Sequence, residues 1–147
     1  MSSPDTIYER AGGEGGLRRV VEIFYSSIFE DPILQPVFGQ PVLTHVDHLT
    51  AFLSEAFGGP TRYSDELGGF PTIVAVHRGR HITEEERLRF LELFMAAVDE
   101  AGLGDDAQLR SAIESCIEFG TEVAMVNSNA RTDAELHPQR EVPHWHW

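Results

Sequence analysis

Between Phe57 and Leu91 the chain reads FGGPTRYSDELGGFPTIVAVHRGRHITEEERLRFL, and this stretch limits the folds open to it more than any other. Gly58-Gly59-Pro60 and Gly68-Gly69 mark a loop, because glycine reaches backbone angles that other residues avoid and proline cannot continue a helix. Pro71 then opens a short apolar run, Thr72 to Val76, that ends on His77. Thr83 precedes Glu86 by three positions and matches a capping box, so a helix is predicted to begin at about Thr83. A lone imidazole thus stands on a stiff apolar segment between a loop and a long helix. Neutral imidazole is the commonest metal ligand among side chains and must be held still, which makes His77 a candidate ligand. Taken alone, it reads more simply as a partly exposed histidine at a helix end.

On both sides of this stretch apolar residues recur at helical spacing, and no segment has a convincing strand pattern. Pro4-Asp5-Thr6 caps a short first helix that Gly12-Gly13 and Gly15-Gly16 interrupt. From Leu17 to Glu30, the residues Leu17, Val20, Val21, Phe24, Tyr25 and Ile28 fall on one face. Asp31-Pro32 starts a short helix reaching about Val37, and Phe38 to Pro41 form a corner. From about Val42 to Phe57 a stripe holds His45, Leu49, Phe52, Leu53 and Ala56. This puts His45 on the buried face and leaves Thr50, Ser54 and Glu55 largely off it. A helix from Thr83 to Ala101 carries Phe90, Leu91, Phe94, Ala97 and Val98 and stops at Gly102. The last helix, Asp105 to about Val126, carries Leu109, Ile113, Cys116 and Ile117. The expected fold class is all-α. Beyond Asn127 polar residues and prolines take over and end in HWHW, a frayed or packed-down tail.

The chain has 147 residues, 41% hydrophobic and 24% charged, which suits one domain around one core. No apolar run approaches the roughly 20 residues a helix needs to cross a bilayer. The opening MSSPDTIYER has neither an apolar signal core nor a basic start, so a cytoplasmic location is expected. Its 24 acids against 11 arginines give a formal net charge of -13, which repels phosphate backbones and anionic lipid. Neither nucleic acid nor a membrane surface is an expected partner. A single cysteine, Cys116, excludes an internal disulfide or a CxxC pair and reads as a small buried residue.

Two histidines therefore come from separate segments, His77 and the helix-borne His45, and Tyr25, Phe38 and Phe90 face the same space if the helices pack on each other. A five-coordinate haem needs one imidazole on iron, an apolar surround and a few polar groups on the open side. Zinc asks for three or four ligands, and a di-iron bundle for several glutamates with a Glu-x-x-His motif, which no buried face supplies here.

The fragments FYSSIFEDPILQPVF, FLSEAFGGPTRYSDELGG, VHRGRHIT and MVNS together resemble the truncated haemoglobins, most of all group II, over about Ile7 to Ser128. The resemblance implies a truncated globin fold, a two-over-two helical sandwich around haem b, in residues 1–128, with 129–147 as a polar C-terminal tail. It implies His77 as the iron ligand and Tyr25 and His45 as the distal groups that face a diatomic ligand. Phe38 then packs on the porphyrin, Leu49 walls the distal side, and Phe52 and Phe90 join the lining. Arg78, Arg80 and His81 are the local candidates for pairing with the haem acids, and Arg62 or Tyr63 reaches toward them from the loop. Two positions depart from the family. Phe90 stands where group II usually has tryptophan, which removes an N–H donor, while His45 supplies one. Val74 and Val76 stand where relatives often carry basic residues. The function implied is reversible binding of O2, NO or CO, as a carrier or scavenger. The alternatives are a haem redox enzyme, a nitric oxide dioxygenase or peroxidase-like, served by a reductase, and a gas sensor. Oligomeric state stays open.

Overall fold

The computed structural model describes residues 6–38, 43–67, 80–129 and Trp145. His77, Arg78, Val74 and Val76 lie outside the described residues. Thr6 opens α1, Ile7–Arg10, by accepting from the Glu9 amide. Gly12 and Gly13 then turn the chain at φ of 92° and 70°, and α2, Gly13–Glu30, follows at once. The expected break at Gly15-Gly16 does not occur, since both residues lie in the first turn of α2. Gly16 is there for space: a β-carbon would stand 1.8 Å from the Ala11 carbonyl oxygen.

After Asp31 come α3, Gln35–Phe38, and α4, Leu43–Ala56. The loop that follows contains a short helix not foreseen from the sequence, α5, Arg62–Glu66. Thr83 and Glu86 close a reciprocal capping box that starts α6, Glu84–Glu100. Asp106 caps α7, Ala107–Ser128, by accepting from the Leu109 amide. No strand forms among the described residues, and no helix there is long and apolar enough to cross a membrane.

Helix α2 packs on both α4 and α6, and α6 packs on α7. The α6–α7 pair is antiparallel, as Asp99 pairs with Arg110 while Arg87 donates to the Glu118 carbonyl. Two helix pairs thus meet where α2 crosses α6, and the core fills that crossing with Phe24, Ile28, Phe94, Val98 and Ile113. Phe24 meets Phe94 edge-on at 5.1 Å.

One expectation for α4 fails in an informative way. Thr50, Ser54 and Glu55 are buried, while His45, Leu49 and Phe52 are only half-buried. From Thr50 onward neighbours surround the helix, so burial there no longer follows a stripe. Glu55 accepts both the amide and the hydroxyl of Ser64, which lays α5 along α4.

The C-terminal end of α4 is closed completely. Gly58, at φ 96°, lets its own amide reach the Glu55 carbonyl and the Gly59 amide reach that of Ser54, a Schellman closure. The Ala56 carbonyl then takes the Trp145 amide at 2.6 Å, and the Phe57 carbonyl takes the Tyr8 amide at 2.9 Å. Trp145 also sets its ring 5.6 Å from that of Phe119 on α7. One residue of the tail is thereby tied to α4 and α7 together.

Asp31 ties the corner to α6. It is buried, accepts from the Ile33 and Leu34 amides, and pairs with Arg89 at 2.7 Å. The Arg89 hydrogen bond is the chief reason its carboxyl titrates below the ordinary value of 3.8, with burial opposing and the two amides assisting.

Two outcomes follow from these ties. Trp145→Ala keeps the backbone amide but removes a half-buried indole from beside Phe119, and should lower the unfolding free energy by about 1–3 kcal/mol in a urea titration. An unmoved midpoint would mean that the indole adds nothing to the domain. For Asp31, a carboxyl with a depressed folded pKa stabilises the fold above its unfolded pKa, and that stability disappears as pH falls through the folded value. The melting temperature of the wild type should therefore drop below about pH 4. Asp31→Asn should start lower at pH 7 and lose less across the acidic window. Parallel melting curves against pH would refute the role given to Asp31.

Candidate functional site

Four helices each send one ring to a common place. Tyr25 of α2 lies 5.8 Å from His45 of α4, with the ring planes tilted by 32°. Phe38 of α3 meets Tyr25 edge-on at 6.0 Å. Phe90 of α6 stacks on Phe38 at 6.2 Å and stands edge-on to Phe24 at 4.6 Å. Local chemistry explains the arrangement: the Asp31–Arg89 pair joins the turn before α3 to the residue before Phe90, so Phe38 and Phe90 are brought up together.

Burial then separates these side chains from the core behind them. Phe24 and Phe94 are fully buried, whereas Tyr25, Phe38, Leu49, Phe52 and Phe90 are each only half-buried. Burying apolar surface is worth about 25 cal/mol per Å². Five large apolar side chains left half-covered beside a closed core are a lining suited to a flat apolar group.

The polar groups of the lining carry a second sign. The Nδ1 of His45 is buried and has no hydrogen-bond partner among the described residues. An orphaned ring nitrogen of this kind costs about 1–3 kcal/mol unless a ligand or water meets it. His45 is pushed toward the neutral form first by burial, then by the charges of His48 and Arg80. Burial pushes the Tyr25 phenol up to about 12, so it remains an O–H donor at any physiological pH. The lining therefore offers two uncharged polar groups on an apolar wall, which is the chemistry a haem pocket requires on its open side.

The other expected residues stand as follows. Arg80 is exposed, and its charge reaches His45. His81 is exposed at φ 51°, donates its amide to the Ser128 carbonyl at 3.1 Å, and has its Nδ1 3.4 Å from Asn129 Oδ1. Its described partners thus belong to the end of α7 and not to the ring cluster. Tyr63 is buried, 5.7 Å from Phe52 and edge-on to it, and so backs the lining through that ring. Burial raises the pKa of its phenol as well. His77 falls outside the described residues.

Sequence reasoning missed the residues that hold the site's supports. Ser128 is fully buried and its hydroxyl accepts from the Ile82 amide while donating to the Met125 carbonyl. Together with the His81 bond this anchors residues 81–82, just past the His77 segment, to α7. The only sequence signal was a small polar residue at the end of an apolar helix face. Arg62, the other candidate from the loop, is bidentate on Asp47 and paired with Glu66.

Comparison with known proteins agrees with this geometry. Residues 6–127 match the model of the family described as bacterial-like globin. The group 2 truncated hemoglobin YjbI of Bacillus subtilis is 31% identical over 123 residues, 84% of this chain and 88% of that protein. The solved hemoglobin of the thermophilic phototrophic bacterium Chloroflexus aurantiacus superposes with a TM-score of 0.73 at 35% identity, covering 83% of this chain and 98% of its own. The solved truncated oxygen-avid haemoglobin of Bacillus subtilis does so with a TM-score of 0.72 at 29% identity, over 80% and 97%. The chain belongs to the bacterial-like globin family as a truncated haemoglobin most like group II, with haem b as its cofactor.

Proposed function

We propose that this chain reversibly binds oxygen, as carrier or scavenger, at a haem iron held by His77, with Tyr25 and His45 as the distal donors. The observation that carries the reading is the meeting of the Tyr25 ring and the orphaned His45 in one half-buried aromatic lining. The oxygen-avid relative supports oxygen as the first gas to test. Haem b supplies the iron on which a diatomic ligand binds, and the side chains supply what distinguishes one ligand from another. Phe38, Leu49, Phe52 and Phe90 exclude water from the ring faces. Tyr25 donates a hydrogen bond to a ligand that has taken on partial negative charge. His45, held neutral, donates or accepts according to its tautomer. Arg80, whose charge reaches His45, is the described cation assigned here to the haem acids.

A second reading, redox turnover of nitric oxide or peroxide, rests on the same His45. A neutral imidazole with a buried, unpartnered nitrogen is able to take up and return a proton, which is the task of an acid–base group. That use requires a reductase, whereas a carrier requires slow autoxidation. The autoxidation rate of the purified protein therefore separates the two: half-times of hours favour the carrier, and rapid oxidation with efficient re-reduction favours the enzyme.

His77→Gly should lose haem, or show a histidine-ligated spectrum only after imidazole is added. An unchanged spectrum would remove His77 from the iron. For the distal side, a hydrogen bond to a charged partner is worth roughly 1.5–3 kcal/mol, or about one to two orders of magnitude in release rate. Tyr25→Phe should speed oxygen release by more than His45→Leu does, because Phe90 brings no N–H to replace the phenol. Stopped-flow rates for both variants and the double mutant decide it. A silent Tyr25→Phe beside a roughly tenfold faster His45→Leu would reverse the ranking.

A further inference from the structure

Helix α4 is held unequally along its length. From Thr50 to Phe57 every residue except Phe52 is buried, and the C-terminal carbonyls are closed by Gly58, Gly59, Trp145 and Tyr8. Between Thr44 and Leu49 no residue is fully buried. His45 and Leu49, which line the pocket, stand on this loosely packed half.

A charged brace crosses this half. Asp47 accepts from Arg18 of α2 at 3.1 Å and from both terminal nitrogens of Arg62 of α5, at 3.0 and 2.8 Å. Glu14 steadies Arg18 at 2.7 Å, and Glu66 steadies Arg62 at 3.0 Å. Helix α5 is itself pinned to the rigid half of α4, because Glu55 holds Ser64. Asp47 and Glu55 are eight residues apart, about two turns, so α5 lies along α4 as a splint fastened at both points. At 100° per residue, Asp47 points about 160° away from His45 and Leu49, so the splint grips the back of the helix whose front lines the pocket.

We propose that Asp47 is a positioning residue for the gas pocket: by holding Arg18 and Arg62 at once it fixes the first half of α4, and with it the place of His45 and Leu49 over the bound gas. The inference rests on the pocket roles given to His45 and Leu49 under the proposed function. Its carboxyl is suited to permanent duty, since the Arg62 and then the Arg18 hydrogen bonds hold it down at about 2, ionised throughout the working range. Planar guanidinium on carboxylate is also directional, so the pairs set an angle as well as a distance.

The test uses the haem-loaded full chain and compares Asp47→Asn with Asp99→Asn, a control that breaks an α6–α7 pair instead. In Asp47→Asn, amide hydrogen exchange should quicken in residues 43–49 and not in 51–57. The C–O stretching band of the carbon monoxide form should broaden or split, and oxygen release should rise about two- to fivefold, the scale on which a partly exposed ion-pair network acts. Asp99→Asn should leave all of these at wild-type values. Arg62→Gln should repeat the pattern and replaces Asp47→Asn if the latter fails to retain haem. An unchanged band and release rate in the Asp47 or Arg62 variant overturn the proposal, as does exchange that rises evenly along the domain. If Tyr25→Phe and His45→Leu are both silent in the same assay, the pocket reading falls and the proposal with it. If only the brace variants are silent, the proposal falls alone.

Discussion

The closure of the C-terminal end of α4 is the constraint on which the rest of the arrangement depends. A buried helix end must find donors for its last carbonyls, at a cost of about 1–3 kcal/mol for each one left bare. Here the donors come from the next turn, from Tyr8 near the start of the chain and from Trp145 near its finish. A single helix end therefore gathers Tyr8 and Trp145 and ties α4 to α1 and, through the Trp145 ring, to α7. Glu55 in the same turn adds α5. Everything rigid about α4 is concentrated there, so its first half is left for the lining of the pocket, held from behind by ion pairs and from the front by Tyr25.

The polar economy of the molecule divides in a similar way. The chain carries a net charge of -13, yet the described polar groups at the pocket, the Tyr25 phenol and the His45 imidazole, are driven toward their uncharged forms by burial. Its ionised pairs sit outside, on α2, α4 and α5 or between α6 and α7. A neutral diatomic ligand gains nothing from a steering field, and a fixed charge beside it would have to be desolvated. Neutral donors on an apolar wall distinguish ligands by hydrogen bonding alone. Asp31 is the exception that fits the rule, since its charge is buried only where Arg89 and two amides meet it.

The fold was largely legible in the sequence because each long helix is amphipathic at a 3.6-residue period, and caps such as Thr83 with Glu86 and Asp106 are local signals. Periodicity failed where its premise fails. Helical spacing sets Thr50, Ser54 and Glu55 off the buried face, but a helix enclosed on several sides has no single buried face. A glycine pair such as Gly15-Gly16 signals a break, but a glycine inside a helix also allows close approach, here of Gly16 to the Ala11 carbonyl. At the site, Tyr25, Phe38, His45 and Phe90 could be picked out as polar or aromatic residues on apolar faces, and the structure gathers them. Their supports could not. Asp47 meets Arg18 and Arg62, and Ser128 meets His81 and Ile82, across 15 to 47 residues of chain, and no local pattern announces such pairings. His77 rests on the sequence and its resemblance.

In the proposed pocket, Phe90 sets the terms on which Tyr25 and His45 would work. Its ring is stacked on Phe38 and set edge-on against Phe24, a position that fixes an aromatic plane but gives no hydrogen. In group II relatives, which usually carry tryptophan there, an indole N–H would stand at the same wall. Its loss here leaves the phenol of Tyr25 and the imidazole of His45 as the polar groups of the described lining, and these differ in kind. The phenol, with its pKa raised to about 12, has one proton to donate and keeps it at every physiological pH. The neutral imidazole has one donor and one acceptor, and whichever nitrogen carries the proton is decided by what the other one meets. With no described residue meeting Nδ1, no described contact selects that tautomer. In the proposed pocket the ligand itself would select it, so His45 would serve a donor or an acceptor, while the Tyr25 hydroxyl would donate to whatever carries negative charge.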